Sequence, residues 1–371
     1  MTTRREIVPV GTQRLDARQI GVLRRVAPGT PLREGLERIL RASTGALVVL
    51  GVPTRAEEGL FTGGFRIDVP FTAQRISELA KMDGALILDE DADRILWANV
   101  HLMPDREVPT METGTRHRTA ERVARQTRLP VVSVSESMRM ITLYLEGWRH
   151  VLEDAWSVLS RANQAVQTLD HYRARFDEAS ASLSSLELSG RATQGDVLLL
   201  LARAEMVRRV AEELEQHVAE LGSDGRLLHL QLDELAAGVD DEKTLAVRDH
   251  LRPRRGWQLA DVLAELGRLT PEELADVPVL AKAVNLGGEP EALDTPMVPR
   301  GYRVLGRVPH LAAPVVERVV DRFGSLRVIL AAGLEDLEEV EGVGEGRARQ
   351  LHEGLFKLAD GIRPERHTLP G

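Results

Sequence analysis

Apolar residues recur every seven positions through the middle of this chain, and that repeat restricts the fold more tightly than any other feature. Leu152, Leu159 and Val166 form one series, and Ala155, Ala162, Leu169, Phe176 and Leu183 a second. Gly190 and Gly195 interrupt the pattern. Leu200, Val207, Leu214 and Leu221 resume it, and Gly222-Ser223-Asp224-Gly225 ends it. A seven-residue apolar period belongs to long helices packed side by side as in a coiled coil. Burial accounts for such a stripe without chemistry. The segment therefore reads as a helical spine that separates the two ends of the chain and transmits strain between them. A further helix opens at Thr270-Pro271-Glu272-Glu273, where threonine caps, proline takes the first position and Glu273 closes a capping box.

Before the spine, the period is short and mixed. Residues 18–42 read as helix around a break at Pro28-Gly29. The run from Gly45 to Gly51 is apolar between glycines, as a buried strand is. Thr62-Gly63-Gly64-Phe65 reads as a turn, and Thr72 can cap a helix carrying Ile76, Leu79 and Ala80. Leu86-Ile87-Leu88 and Arg94 to Ala98 read as strands joined across Asp89–Asp93. Val131–Ser135 and Ile141–Leu145 add two more. Strands and helices mixed in this way predict one α/β domain with a mixed sheet.

Within that domain one stretch conflicts with local stability. Ala120, Val123, Ala124 and Thr127 have helical spacing, Pro130 stops the pattern, and Thr115 can serve as the N-cap. Arg116, His117 and Arg118 then fall in the first turn, where the helix dipole disfavours cations by about 0.3–1 kcal/mol each. Conflicts of this kind gather at functional sites. The spacing leaves two readings open: a solvated basic turn, or an anion site at which free N–H groups and two guanidinium forks meet one phosphate. Asp83-Gly84 is either an ordinary turn or an aspartate for metal or proton beside a glycine that lets a ligand approach. Asp89–Asp93 opens like a calcium loop but has Arg94 and Val100 where glycine and glutamate are required, so it reads as a hairpin turn. No Gly-Lys-Ser/Thr occurs, which excludes a Walker A loop.

Composition sets outer limits. With 371 residues, two or three domains are expected. There is no cysteine, so disulfides, zinc–cysteine sites and thiol nucleophiles are excluded and a cytoplasmic setting is expected. The N-terminus is charged without an apolar core, and no 18-residue apolar run exists, so neither a signal peptide nor a membrane span is expected. A net charge of −9 argues against a simple cationic nucleic-acid coat. Positive charge is nearly all arginine, Lys81, Lys243, Lys282 and Lys357 being the lysines. A GC-rich coding sequence explains that bias, so arginine abundance alone does not signal phosphate recognition.

Several of these segments together resemble a known family: Ser43 to Gly51, Gly63-Gly64-Phe65, Lys81-Met82-Asp83-Gly84-Ala85, Ala98-Asn99-Val100, and Glu112 to Ala120. In this order and spacing they are similar to the diadenylate cyclase domain of the DisA family, and the resemblance extends over essentially the whole chain. It implies condensation of two ATP molecules into cyclic di-AMP with release of two pyrophosphates, using Mg²⁺ or Mn²⁺. It implies that Asp83 holds the metal or helps deprotonate the ribose 3′-hydroxyl. Gly84, Ala85, Leu102, Thr115, Arg116, His117, Arg118, Thr119 and Ser135 would bind ATP, with Asp83, Arg116, His117 and Arg118 the catalytic set. After Ser135 the run Glu136-Ser137-Met138 departs from the Ser-Glu-Arg-Arg common in the family. The resemblance also implies subunits facing each other within an octamer, a nucleoid-associated location, and inhibition by branched DNA.

At the C-terminal end, Leu337 to Leu351 reads as helix, Gly342-Val343-Gly344 turn, helix, and closely resembles a helix-hairpin-helix DNA-binding motif. Such a turn exposes backbone N–H groups to a phosphate without needing net positive charge. A plain helix connection is the simpler alternative. Val308 to Leu326 reads as a degenerate first copy, with Pro309-His310-Leu311 in place of the glycine turn. Residues 301–371 carry ten Lys/Arg against eleven Asp/Glu. Contact with branched or double-stranded DNA should therefore be modest, sequence-indifferent and steeply salt-dependent. Its expected residues are Gly342, Val343, Gly344, Gly346, Arg347 and Arg349. Residues 362–371 are expected to be disordered.

The expected architecture is an α/β cyclase domain with a mixed sheet over 1–148, an all-α spine over 149–300 and an all-α helix-hairpin-helix domain over 301–371. Two rival functions stand beside a DNA-linked cyclase. One is an architectural DNA-binding protein with a decayed site, and the other a nucleotidyltransferase with a linear product.

Overall fold

The computed structural model describes residues 15–54, 58–251, 258–309 and 311–360. The start of the chain, His310 and the tail 362–371, on which expectations were placed, lie outside the described residues. The chain forms two compact units, Met1–Val166 with Glu212–Leu232, and Gln167–Ala211 with Asp233–Gly371.

The first unit is built on an eight-stranded sheet: β1 (Ala46–Leu50), β2 (Phe61–Thr62), β3 (Phe65–Pro70), β4 (Ala85–Leu88), β5 (Arg94–Leu102), β6 (Val131–Ser135), β7 (Met140–Leu145) and β8 (Trp148–Leu152). The order is β2-β5-β4-β1-β6-β7-β8, with β3 also on β5. Only β1 and β4 run parallel, so the sheet is mixed as expected. Four helices cover it: α1 (Ala17–Arg25), α2 (Pro31–Arg41), α3 (Ala73–Leu79) and α4 (Thr115–Thr127). Alternation along the strands assigns the faces. Val48, Leu50, Leu86, Leu88, Val132, Val134 and Leu143 pack with Leu23, Leu36, Ile39 and Ile76 of the first three helices. Val49, Ile87, Val131 and Tyr144 face Ala120, Val123 and Ala124 of α4. Covered on both sides, β1 reads as one unbroken apolar run.

Three strands escaped the sequence pattern. β2 is two residues long, and β3 is half-exposed with an irregular register between Arg66 and Val69. β8 takes Leu152, placed above at the head of the seven-residue repeat, and pairs it with Ile141. The signal for β8 lies in Glu146-Gly147, where φ is +49° and +100°. Two residues at positive φ close a tight antiparallel hairpin.

The repeat proper is helical, on α5 (Ala155–Leu188) and α6 (Gln194–Leu221). Ala162, Leu169, Phe176 and Leu183 are buried, as are Leu200, Val207, Leu214 and Leu221. Shorter helices follow, α7 (Arg226–Ala236) and α8 (Val239–His250). The capping box at Thr270 forms with both of its hydrogen bonds, 3.2 and 2.7 Å long.

In the second unit the core is made by Val304, Leu305, Val316, Val320, Ile329, Leu337, Val343 and Leu351 from the C-terminal helices. A buried ionic network ties the first of these, Tyr302–Gly306, to α5 and α8. Arg303 is wholly buried, with Nη1 2.7 Å from Glu187 and Nη2 2.6 Å from Glu242. The other Glu187 oxygen lies 2.7 Å from His250 Nε2. Asp249 accepts the backbone N–H groups of Gly301, Tyr302 and Arg303 at 2.6–2.7 Å.

Candidate active site

α4 begins one residue earlier than its sequence suggests. Gly114, not Thr115, is the N-cap, with extended φ and ψ (−76°, 141°) and no side-chain capping bond. Its carbonyl accepts the Arg118 N–H at 2.9 Å. Thr115, Arg116 and His117 thus occupy the first three helical positions, and the first turn contains no acid. A glycine cap leaves the first N–H groups without a side-chain oxygen, available to a ligand.

Two glycines and one asparagine shape the approach to this turn. The Arg116 guanidinium lies across Gly45, where an added Cβ would sit 2.2 Å from Nη1. Ala46 pairs with Val134, so the next step of the antiparallel ladder sets Gly45 beside Ser135. Gly84 donates its N–H to Asn99 Oδ1 at 3.1 Å. A Cβ there would lie 2.3 Å from the Asn99 carbonyl carbon, so only glycine fits against that backbone. Asn99 itself has φ +57°. Asp83, fully exposed, stands with Oδ1 3.9 Å from Arg116 Nη2, a long pair worth little in water.

The structure therefore brings Asp83, Gly84 and Arg116 together, with Ser135 beside Gly45. Ser135 is buried and turned to Ser137 Oγ at 3.4 Å and to the Met138 N–H at 3.3 Å. Arg118 is exposed and Thr119 half-buried. Ala85 is buried in the ladder against Val100, and Leu102 packs at the margin of the core beneath α4.

His117 is placed differently from its two arginine neighbours. It is 3 % exposed, and its Nδ1 lies 2.7 Å from the Tyr144 hydroxyl. That hydroxyl donates to Glu112 Oε1 at 2.9 Å, and Glu112 pairs with Arg149 at 2.7 Å. Nε2 of His117 is buried without a hydrogen-bond partner. Burial pushes the imidazole below the ordinary histidine range, opposed by Glu112 and aided by Arg149. Burial and Glu112 hold the Tyr144 phenol above its ordinary range. Nearby, Glu121 ties the preceding loop to α4 through Thr110 (2.5 Å), the Met111 N–H (3.2 Å) and Arg125 (2.7 Å).

Sequence reasoning missed Tyr144 and Arg149 as neighbours of the site. The strand period did contain Tyr144, since alternation from Val131 and its ladder partner puts it on the α4 face. Nothing in the sequence marked Arg149, because β8 was not foreseen.

The C-terminal turn joins the helices Leu334–Glu338 and Glu345–Asp360. Gly342 has φ +81°, and Arg347 donates to its carbonyl at 2.7 Å, closing the turn. Gly344 and Gly346 have open space where a Cβ would be. Arg349 is exposed and paired with Glu345 at 2.7 Å. The proposed first copy has helices Tyr302–Gly306 and Ala313–Phe323 on either side of Pro309 and Leu311.

Uncapped helical N–H groups beside guanidinium forks suit the phosphates of a nucleotide, and known proteins return the same class of domain. Residues 33–148 match the family described as DisA bacterial checkpoint controller nucleotide-binding, and residues 152–293 its linker region. The chain is 53 % identical over 356 residues to the DNA integrity scanning protein DisA of Acidothermus cellulolyticus, covering 95 % of this chain and 96 % of that one. It is 54 % identical to that of Frankia alni over 344 residues, 92 % and 96 % of the two chains. With the Streptomyces coelicolor protein of the same name the identity is 51 % over 346 residues, 92 % of each. The chain belongs to the DisA family, and it is a diadenylate cyclase. Among the described residues no helix is long and apolar enough to cross a membrane.

Proposed function

We propose that the chain joins two ATP molecules into cyclic di-AMP, releasing two pyrophosphates, at sites that two subunits present to each other. The observation that carries this reading is the pairing of Asp83-Gly84 with the arginine turn of α4, which leaves the aspartate wholly exposed on an open face. Phosphoryl-type transfer needs positioning and charge neutralisation more than covalent help. Arg116, Arg118 and the N–H groups of the first turn neutralise the triphosphate, Thr115 and Thr119 contact it, and Ser135 lies within the same margin. Gly84, Ala85 and Leu102 line the nucleotide. The 3′-hydroxyl and the α-phosphate it attacks belong to different ATP molecules. One site per chain therefore needs a second chain opposite, and an octamer of facing tetramers supplies that arrangement.

A divalent ion fits this site as a guest of the nucleotide. Among the described residues no group of three or more metal-ligating side chains exists. One exposed carboxylate together with substrate phosphates is a usual setting for Mg²⁺ or Mn²⁺, and Asp83 would hold the ion. The ion would supply charge neutralisation at the transferring phosphate.

The C-terminal turn is the DNA end of the same proposal. N–H groups at Gly342, Val343, Gly344 and Gly346 meet backbone phosphate, supported by Arg347 and Arg349. Branched DNA bound there lowers cyclase output, because DNA and ATP favour different arrangements of the chain.

The test is incubation with ATP and Mg²⁺ or Mn²⁺, with and without junction DNA, and products identified by mass spectrometry. Cyclic di-AMP from the wild type, none from Asp83→Asn, and less with junction DNA is the expected result. A linear dinucleotide, or no turnover by the intact oligomer, would refute the reading. Light scattering reports the assembly.

A further inference from the structure

Both sides of the α4 cap converge on one hydroxyl. Glu112 lies two residues before Gly114 and His117 three residues after it, and both reach the oxygen of Tyr144, at 2.9 and 2.7 Å. Tyr144 stands on β7, a rigid strand paired along its length with β6 and β8. The segment that aims Arg116 is thus pinned to the sheet at two points flanking the cap.

Counting protons fixes the direction of the chain of bonds. Tyr144 has one O–H, and a carboxylate can only accept. The phenol therefore donates to Glu112 Oε1, the same oxygen that Arg149 Nε holds, and its own oxygen accepts from His117. That makes Nδ1–H the proton-bearing nitrogen of His117 and leaves Nε2 with a lone pair. A neutral ring agrees with the burial of this side chain and with its depressed affinity for a second proton.

We propose that Tyr144, backed by Glu112 and Arg149, is the positioning hub of the α4 N-terminus, and that His117 serves there as a neutral hydrogen-bond donor rather than as a third cation for the triphosphate. The inference rests on the reading of this turn as the ATP site. It divides the Arg116-His117-Arg118 run into two kinds of residue. The arginines face the ligand, and the histidine faces the scaffold. It also explains how the turn tolerates its charge, since a buried imidazolium beside two guanidinium groups would add to the repulsion from the helix dipole.

Tyr144→Phe tests the hub, because it keeps the ring and removes only the hydroxyl. Amide hydrogen exchange over Glu112–Arg118 should speed up by about tenfold or more, the loss expected for one charge-assisted hydrogen bond. Exchange in β6 and β7 should stay as in the wild type, and kcat/KM for ATP should fall by about tenfold, chiefly through KM. Unchanged exchange over Glu112–Arg118, or an equal rise throughout β6 and β7, would overturn the proposal. A second pair of variants tests the role of His117. Asparagine carries an N–H where Nδ1 is, and glutamine carries one where Nε2 is. His117→Asn should keep the slow exchange of the turn and His117→Gln should lose it. Equal behaviour of the two would refute the assigned proton. If the wild type made no cyclic dinucleotide, the cyclase reading would fall, while the exchange pattern would still decide whether Tyr144 is the hub.

Discussion

Arg303→Met should loosen the second unit far more than its conservative volume suggests. The guanidinium is wholly buried, with Glu187 on one side at 2.7 Å and Glu242 on the other at 2.6 Å. Methionine fills much of the space but strands both acids. Glu187, itself without exposed side-chain surface, keeps only His250, and Glu242 keeps Arg307 and Ser180. Breaking a buried ion pair by removing one partner costs about 3–5 kcal/mol. Tenfold in an equilibrium is about 1.4 kcal/mol, so protection of amides at 180–187, 242–250 and 301–307 should drop on the order of a hundredfold to a few thousandfold. Hydrogen exchange read by peptide is the suitable assay, because a chain of two units need not unfold in one step. Replacing all three charges together, Arg303→Met with Glu187→Met and Glu242→Leu, should recover most of the loss, since neither acid is left behind and the partly exposed Arg307 keeps Ser180 and solvent. Protection within about threefold of wild type in the single variant, or no recovery in the triple one, would refute the reasoning.

Gly84→Ala should abolish cyclic dinucleotide formation while circular dichroism stays native, because its Cβ would press on the Asn99 carbonyl carbon at 2.3 Å and distort only that junction; overpacking of this kind costs about 1–3 kcal/mol. The stability that Glu242 gives the second unit should be lost in acid, read as the difference between wild type and Glu242→Gln because the buried Asp249, pushed up by burial, works the other way. Burial raises the Glu242 carboxyl, but Arg303, Ser180 and Arg307 outweigh it and hold it below its ordinary 4.5, so its contribution is present above that pH and disappears as pH falls through the folded value, a trend urea titrations at stepped pH would detect. At the C-terminal turn, Gly342→Ala should destabilise by about 1–2 kcal/mol, since φ is +81° there. Gly344→Ala has open space and should leave stability alone, so a fall in junction-DNA affinity by fluorescence anisotropy in that variant would report phosphate approach directly.

Much of the fold was legible where its constraints are local. The apolar runs of β1, β4, β6 and β7 announce buried strands, and the Thr72 and Thr270 caps form as their residue types predict. What stayed hidden depends on partners distant in sequence. β8 required the Glu146-Gly147 turn to be read as a hairpin, and without it Leu152 joined the wrong period. The Arg303 network draws on residues from 180 to 307, and no spacing rule connects them. The N-cap moved from Thr115 to Gly114 because a helix start is set by backbone geometry, and a threonine side chain free for another partner loses its local preference.

The same distinction separates the members of the arginine-rich run. By residue type, Arg116, His117 and Arg118 are three cations in one turn. Burial decides otherwise for the middle one, and burial is fixed by helical phase. On α4, His117 shares the inward face with Ala120, Val123 and Ala124, whereas Arg116 and Arg118 lie on either side of that face. A polar ring on the core side must find a partner or lose stability, and Tyr144, on the strand beneath, is the group that meets it. The arrangement that keeps the fold thus also aims the two guanidinium groups outward. In the proposed reaction, ATP supplies the negative charge that the exposed end of the helix otherwise lacks.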